Sequence, residues 1–161
     1  MIARFKFRSG SAWLAISPLL LALAGPVLAQ APVLTVAEPD LGEWVFQGLD
    51  DPSIELQVLE NDPLDFSWLA EPGQPDADIV GYRYGWDVTD PDDPFDPNWA
   101  TDLDPGVLSA PTRTYSSGVH WLYVEVQDDL GGVTRGGIRM QIVPPVGIDA
   151  RAWSAVKALF D

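Results

Sequence analysis

The chain has 161 residues, 24 acidic against nine basic ones, a formal charge of −15, no cysteine and one histidine. That balance opposes nucleic acid and anionic lipid, whose phosphates need lysine and arginine. The cysteine and histidine counts exclude disulfides, thiolate nucleophiles, a cysteine-linked lipid and a multi-histidine zinc site within one chain.

The first 29 residues read as a secretory signal peptide. Arg4, Lys6 and Arg8 form a basic start, and an apolar run from Ala12 to Ala24 follows. Val27 and Ala29 then occupy the −3 and −1 places of a small-residue cleavage site, so the cut is expected between Ala29 and Gln30. An uncleaved anchor is the competing reading. It is disfavoured by Pro18, Pro26 and a run shorter than the roughly 20 residues that span a bilayer. Cleavage removes three basic residues and no acidic one. The remaining 132 residues hold six basic against 24 acidic side chains, a charge of −18. No stable membrane span is expected afterwards, and the predicted location is secreted or periplasmic.

Residues 30–50 carry prolines and two apolar patches, "VLTV" and "EWVF", and read as a linker with one strand at most. From residue 51 the period is two. Ile54, Leu56 and Val58 alternate with polar residues, as do Leu64, Phe66 and Trp68. "IVGYRYGWDV" sets Val80, Tyr82, Tyr84, Trp86 and Val88 on one face and Gly81, Arg83, Gly85 and Asp87 on the other. "GVHWLYVEVQDDLGG" points Leu122, Val124 and Val126 inward, and Trp121, Tyr123 and Glu125 outward. "GGIRMQIVP" ends the series with Ile138, Met140 and Ile142 inward. Period-two runs separated by Pro, Gly and Asp clusters predict antiparallel strands with one wet face. Residues 51–145 are therefore expected to form a two-sheet antiparallel sandwich. Only residues 146–161 look helical, with Asp149 as cap and Trp153, Val156 and Phe160 on one stripe.

The run from Phe66 to Val143 resembles the immunoglobulin-like, fibronectin-type-III-like domains of bacterial exported proteins. The motifs are "FSWLAEPGQPDADIVGYRYGWD" and "GVHWLYVEVQDDLGG" around a variable acidic loop. The resemblance implies an all-β, immunoglobulin-like fold and a role as spacer or as adhesive and recognition module. It implies no activity.

Catalytic patterns are scarce. His120 shares the parity of Leu122 at the strand's beginning, and no serine stands on a nucleophile turn, so a satisfied margin histidine is expected rather than a base. The acidic loop "DVTDPDDPFDPNWATDLDPG" offers Asp87, Asp90, Asp92, Asp93 and Asp96 as calcium ligands, with Asp102 and Asp104 beyond them. Its spacing does not match an EF-hand, and Asp-Pro steps also build solvated turns. Asp76 and Asp78 form a lesser candidate. No organic cofactor is expected, and calcium is the one ion the loop chemistry admits.

Outward aromatics on a sheet need a reason. Trp121 and Tyr123 are expected to cover Gly81 and Gly85 of the neighbouring strand, with Arg83 paired to Glu125 or stacked on a ring. The alternative is a recognition platform of Arg83, Trp121 and Tyr123 for a carbohydrate or a protein edge. The overall expectation is a non-enzymatic binding or assembly module of the envelope or extracellular space. A structural spacer is the first alternative and a hydrolase the more distant one.

Overall fold

The computed structural model describes residues 30–49 and 51–145. The expected signal segment at 1–29 and the expected helix at 146–161 lie outside the described residues. Seven strands follow in order: β1 (Val33–Glu38), β2 (Gly42–Gln47), β3 (Ile54–Leu59), β4 (Ser67–Glu71), β5 (Ile79–Trp86), β6 (Gly118–Asp128) and β7 (Val133–Val143). They form a three-stranded sheet in the order β2-β1-β4 and a four-stranded sheet in the order β3-β7-β6-β5. The described residues contain no helix, and the architecture is an all-β sandwich.

The inward faces match the alternation. Phe66, Trp68, Tyr82, Tyr84, Leu122, Val124 and Val126 are buried with Ile138, Met140 and Ile142 in one core, and Trp86 packs against it. Fully burying an aliphatic side chain contributes about 1.5–3 kcal/mol. Two core aromatics have polar partners: Trp68 Nε1 donates to Val107 O at 2.7 Å, and Tyr82 Oη accepts from the Ala70 amide at 3.0 Å.

Four expectations are corrected. Residues 30–50 are not a linker with one strand but carry the β1–β2 hairpin, and β1 is the centre of its sheet. Leu34 and Val36 are fully buried, and the next inward position is Glu38, which hid the alternation. Its carboxylate accepts from the Asp40 and Leu41 amides at 2.8 and 2.9 Å. Second, the sandwich is not wholly antiparallel: β3 runs parallel to β7, from Ile54↔Ile138 to Leu59↔Val143. The chain reaches β3 by crossing from one sheet to the other after β2, so no hairpin dictates its direction. Third, Val80 does not share the inward face of Tyr82. A β-bulge between Ile79 and Gly81 turns it out, and it is 45% exposed. Fourth, the long connection from β5 to β6 is not free of the sheets. Residues near 109–113 bridge to Leu64 and Ser67, and Trp99 and Asp104 bridge to Gly85 and Tyr82 of β5.

Candidate functional site

The outer face of the four-stranded sheet is laid out by register. Arg83 lies opposite Glu125, which lies opposite Arg135, giving one charged row across β5, β6 and β7. The next row is Gly85, Tyr123 and Gly137, and the one beyond pairs Trp121 with Arg139.

Two of the three residues of the charged row are buried, and Arg135 is partly buried, although the row points away from the core. Arg83 is 9% exposed and Glu125 is 5% exposed. Arg83 Nη2 lies 2.6 Å from Glu125 Oε1, and Arg135 Nη2 lies 2.7 Å from Glu125 Oε2. Arg135 Nη1 continues the chain to Asp92 at 2.7 Å. Burial works against the Arg135 charge, but its hydrogen bonds to Asp92 and Glu125 outweigh burial and hold the guanidinium above its ordinary value. Both readings of Arg83 hold together, because it pairs with Glu125 and also stacks 4.2 Å from the Trp99 ring.

The cover is the acidic loop. A Cβ on Gly81 would lie 2.7 Å from the Asp104 nitrogen, and one on Gly85 would lie 2.7 Å from the Asn98 oxygen. These two glycines admit loop backbone, so the expectation that Trp121 and Tyr123 cover them is corrected. Tyr123 covers a different glycine: a Cβ on Gly137 would lie 3.2 Å from its ring. The Trp121 and Tyr123 rings stack on each other with centroids 5.5 Å apart and planes 4° apart. Partial burial raises the Tyr123 hydroxyl above its usual value, opposed by the charge of Arg135.

The loop carboxylates staple the loop itself. Asp96 accepts from the amides of Thr89, Asp90 and Asn98 at 3.0, 3.0 and 2.8 Å. The Asn98 and Asp90 amides hold its carboxyl below the ordinary value, and burial opposes them. Asp90 accepts from the Asp92 amide and Asp93 from the Phe95 amide. Asp87, at a positive φ of 53°, accepts from the Trp121 amide at 2.8 Å and meets His120 Nδ1 at 3.1 Å. Among the described residues, no three acidic or histidine side chains gather as a metal-binding group. His120 Nε2 faces Ser116 O at 3.2 Å, and the imidazole packs 5.0 Å from the Tyr115 ring. Both its nitrogens thus have oxygen neighbours at the sheet margin.

Between the acidic loop and the β2–β3 connection opens a cavity of about 510 Å³. Trp121, Tyr123, Arg135 and Gly137 line it from the sheet, Pro91 and Asp92 from the loop, and Leu49, Asp51 and Ser53 from the connection. Of the sequence-derived candidates, Trp121, Tyr123 and Asp92 line this cleft, and Arg83 lies beneath the loop, one row away. Sequence reasoning missed Arg135, Gly137 and Asp51. The signal for Arg135 was available: the "DDLGG" turn sets the register that places it opposite Glu125.

No family model matches the chain, and no curated protein does. Among the solved structures similar to this chain is one described as "Structures of Clostridium thermocellum CbhA fibronectin(III)-like modules". It is 13% identical, with a TM-score of 0.41, and the match covers 71% of this chain and 48% of that one. The chain thus spans about half the length of that structure. The likeness adds nothing to the two-sheet architecture described above.

Proposed function

We propose that the protein is an exported, non-enzymatic binding module, secreted or periplasmic, and that the cleft beside Trp121 and Tyr123 takes a carbohydrate ring. The cleft is the observation that carries this reading. It combines two aromatic rings with Asp51, Asp92, Ser53 and Arg135 in one concavity of about 510 Å³. A pyranose presents C–H groups to aromatic surface and hydroxyls to carboxylate and hydroxyl groups, and such a mix of apolar lining and few polar groups characterises small-ligand sites. The stapled loop forms one wall before any ligand arrives, which lowers the ordering cost of binding.

Affinity electrophoresis through gels containing neutral polysaccharides tests the proposal. Retardation in at least one gel, lost in Trp121→Ser at unchanged melting temperature, is expected. Free migration in every gel would overturn the carbohydrate reading, and free migration with a large stability loss in Trp121→Ser would favour the spacer role.

A further inference from the structure

The first described residues lie in a notch between two loops. A Cβ on Gly73, in the β4–β5 loop, would collide with the Gln30 carbonyl oxygen and lie 2.5 Å from that of Ala31. A Cβ on Gly132, in the β6–β7 turn, would lie 3.0 Å from the Gln30 oxygen. The Thr134 hydroxyl donates to Pro32 O and fixes the segment from the other side.

Asp128 sits at the same place and is 1% exposed. Its Oδ1 accepts from the Leu130 amide at 3.1 Å and the Gly132 amide at 2.6 Å. Its Oδ2 is buried and has no hydrogen-bond partner among the described residues. The same Cβ on Gly132 would lie 2.6 Å from Oδ2, so Oδ2 and the Gln30 carbonyl both lie within about 3 Å of one point. A buried carboxylate oxygen without a donor is costly, and a cation is its best partner.

The described side chains supply none. Arg83 and Arg135 hold Glu125, Arg139 holds Glu55, and Arg113 lies over Trp86 and Tyr115. No lysine lies between residues 30 and 145. The surroundings add carboxylates instead: Asp129 accepts from the Asp78 amide at 2.9 Å.

We propose that cleavage of the signal supplies the missing cation: the new α-ammonium group of Gln30 pairs with Asp128 Oδ2 and locks the N-terminal segment into its notch. In the uncut chain the same nitrogen is a neutral peptide N–H with one hydrogen. After the cut it carries a positive charge and three donors. Processing then stabilises the folded protein, and the precursor remains the less stable form. The inference rests on the cut between Ala29 and Gln30, and the test keeps that premise separate from the ion pair.

Three forms of residues 30–161 are compared by thermal melting: one with a free Gln30 amine, one with two residues left before Gln30, and one treated with glutaminyl cyclase. In the last, the α-nitrogen displaces ammonia from its own side-chain amide, and the charge is lost. The free form should melt about 5 °C above both others, a shift typical of one modest interaction in a domain of this size. Asp128→Asn keeps an Oδ1 for the two amides and should lower only the free form. Equal melting of the free and cyclised forms would overturn the pair. So would an equal loss in all three forms on Asp128→Asn, which would leave Asp128 as a turn staple alone. Sequencing the exported protein tests the premise: a first residue other than Gln30 would overturn the processing role whatever the melting temperatures.

Discussion

The four-stranded sheet buries side chains on both faces, by different means. The inner face is covered by another sheet and filled with Leu122, Val124, Val126, Ile138, Met140 and Ile142. The outer face is covered in part by an irregular loop, and at that cover lies the Arg83–Glu125–Arg135 row. A second sheet offers side chains, so its partner face is apolar. A loop offers backbone carbonyls and carboxylates, such as Pro94 O and Asp92, both of which accept from this row. Charge can therefore be buried on the loop side, provided each group is paired.

The sharpest way to break the comparison is to unpair that row. Glu125→Ala strands the buried Arg83 and takes one partner from the partly buried Arg135, and should destabilise by about 3 kcal/mol, because removing one partner of a buried pair leaves uncompensated charge. Urea denaturation measures this, and a cost near zero would mean water reaches the row freely. On the inner face, Leu122→Ala should cost about 3 kcal/mol through lost burial and the cavity left behind. The glycines come next. Gly81→Ala and Gly85→Ala place a methyl group against loop backbone and should each cost about 1–3 kcal/mol by overpacking. Hydrogen exchange should then speed up at the amides of Thr89, Asp90 and Asn98 if the loop is the covering layer.

A smaller effect separates the two accounts of the aromatics. Gly137→Ala meets the Tyr123 ring, so a double-mutant cycle between positions 123 and 137 should show about 0.5–1 kcal/mol of coupling. Positions 121 and 85 should be additive, since Gly85 is covered by the loop. Acid sharpens the loop's part further. The lowered Asp96 carboxyl stabilises the fold above the ordinary aspartate value and loses that contribution as pH falls through its own lower one. Melting followed below about pH 4 should fall less steeply in Asp96→Asn, where the charge is absent at every pH. Calcium gives the smallest expected effect. Each loop carboxylate from Asp87 to Asp96 is engaged within the protein, so melting in calcium and in chelator should coincide. A rise of several degrees in calcium would show that these groups regroup around an ion.

The inner face was legible in the sequence because burial against a second sheet imposes strict alternation, as at Leu122, Val124 and Val126. The acid–arginine pairing was half legible. Arg83 and Glu125 fall on facing positions once β5 and β6 are paired, but Arg135 requires the β6–β7 register as well. The cover was not legible, because nothing in an aspartate-rich stretch distinguishes a loop lying on a sheet from one in water. Gly81 and Gly85 were the trace of it. They signalled close approach, and the approaching partner was loop backbone rather than an aromatic ring. The β1–β2 hairpin was read as a linker with one strand at most because the third inward residue of β1, Glu38, is a carboxylate satisfied by its own turn.

The parallel strand β3 has a kinetic consequence. The three-stranded sheet is complete once residue 71 exists, but β3 waits for β7, and Glu55 meets Arg139 across 84 residues of chain. Contacts so distant in sequence must close a large loop before they give any return, which slows folding. A chain that emerges N-terminus first therefore presents a finished hairpin sheet with its partner face bare until the last strand arrives. That delay leaves the sandwich unclosed until the chain has been made as far as Val143.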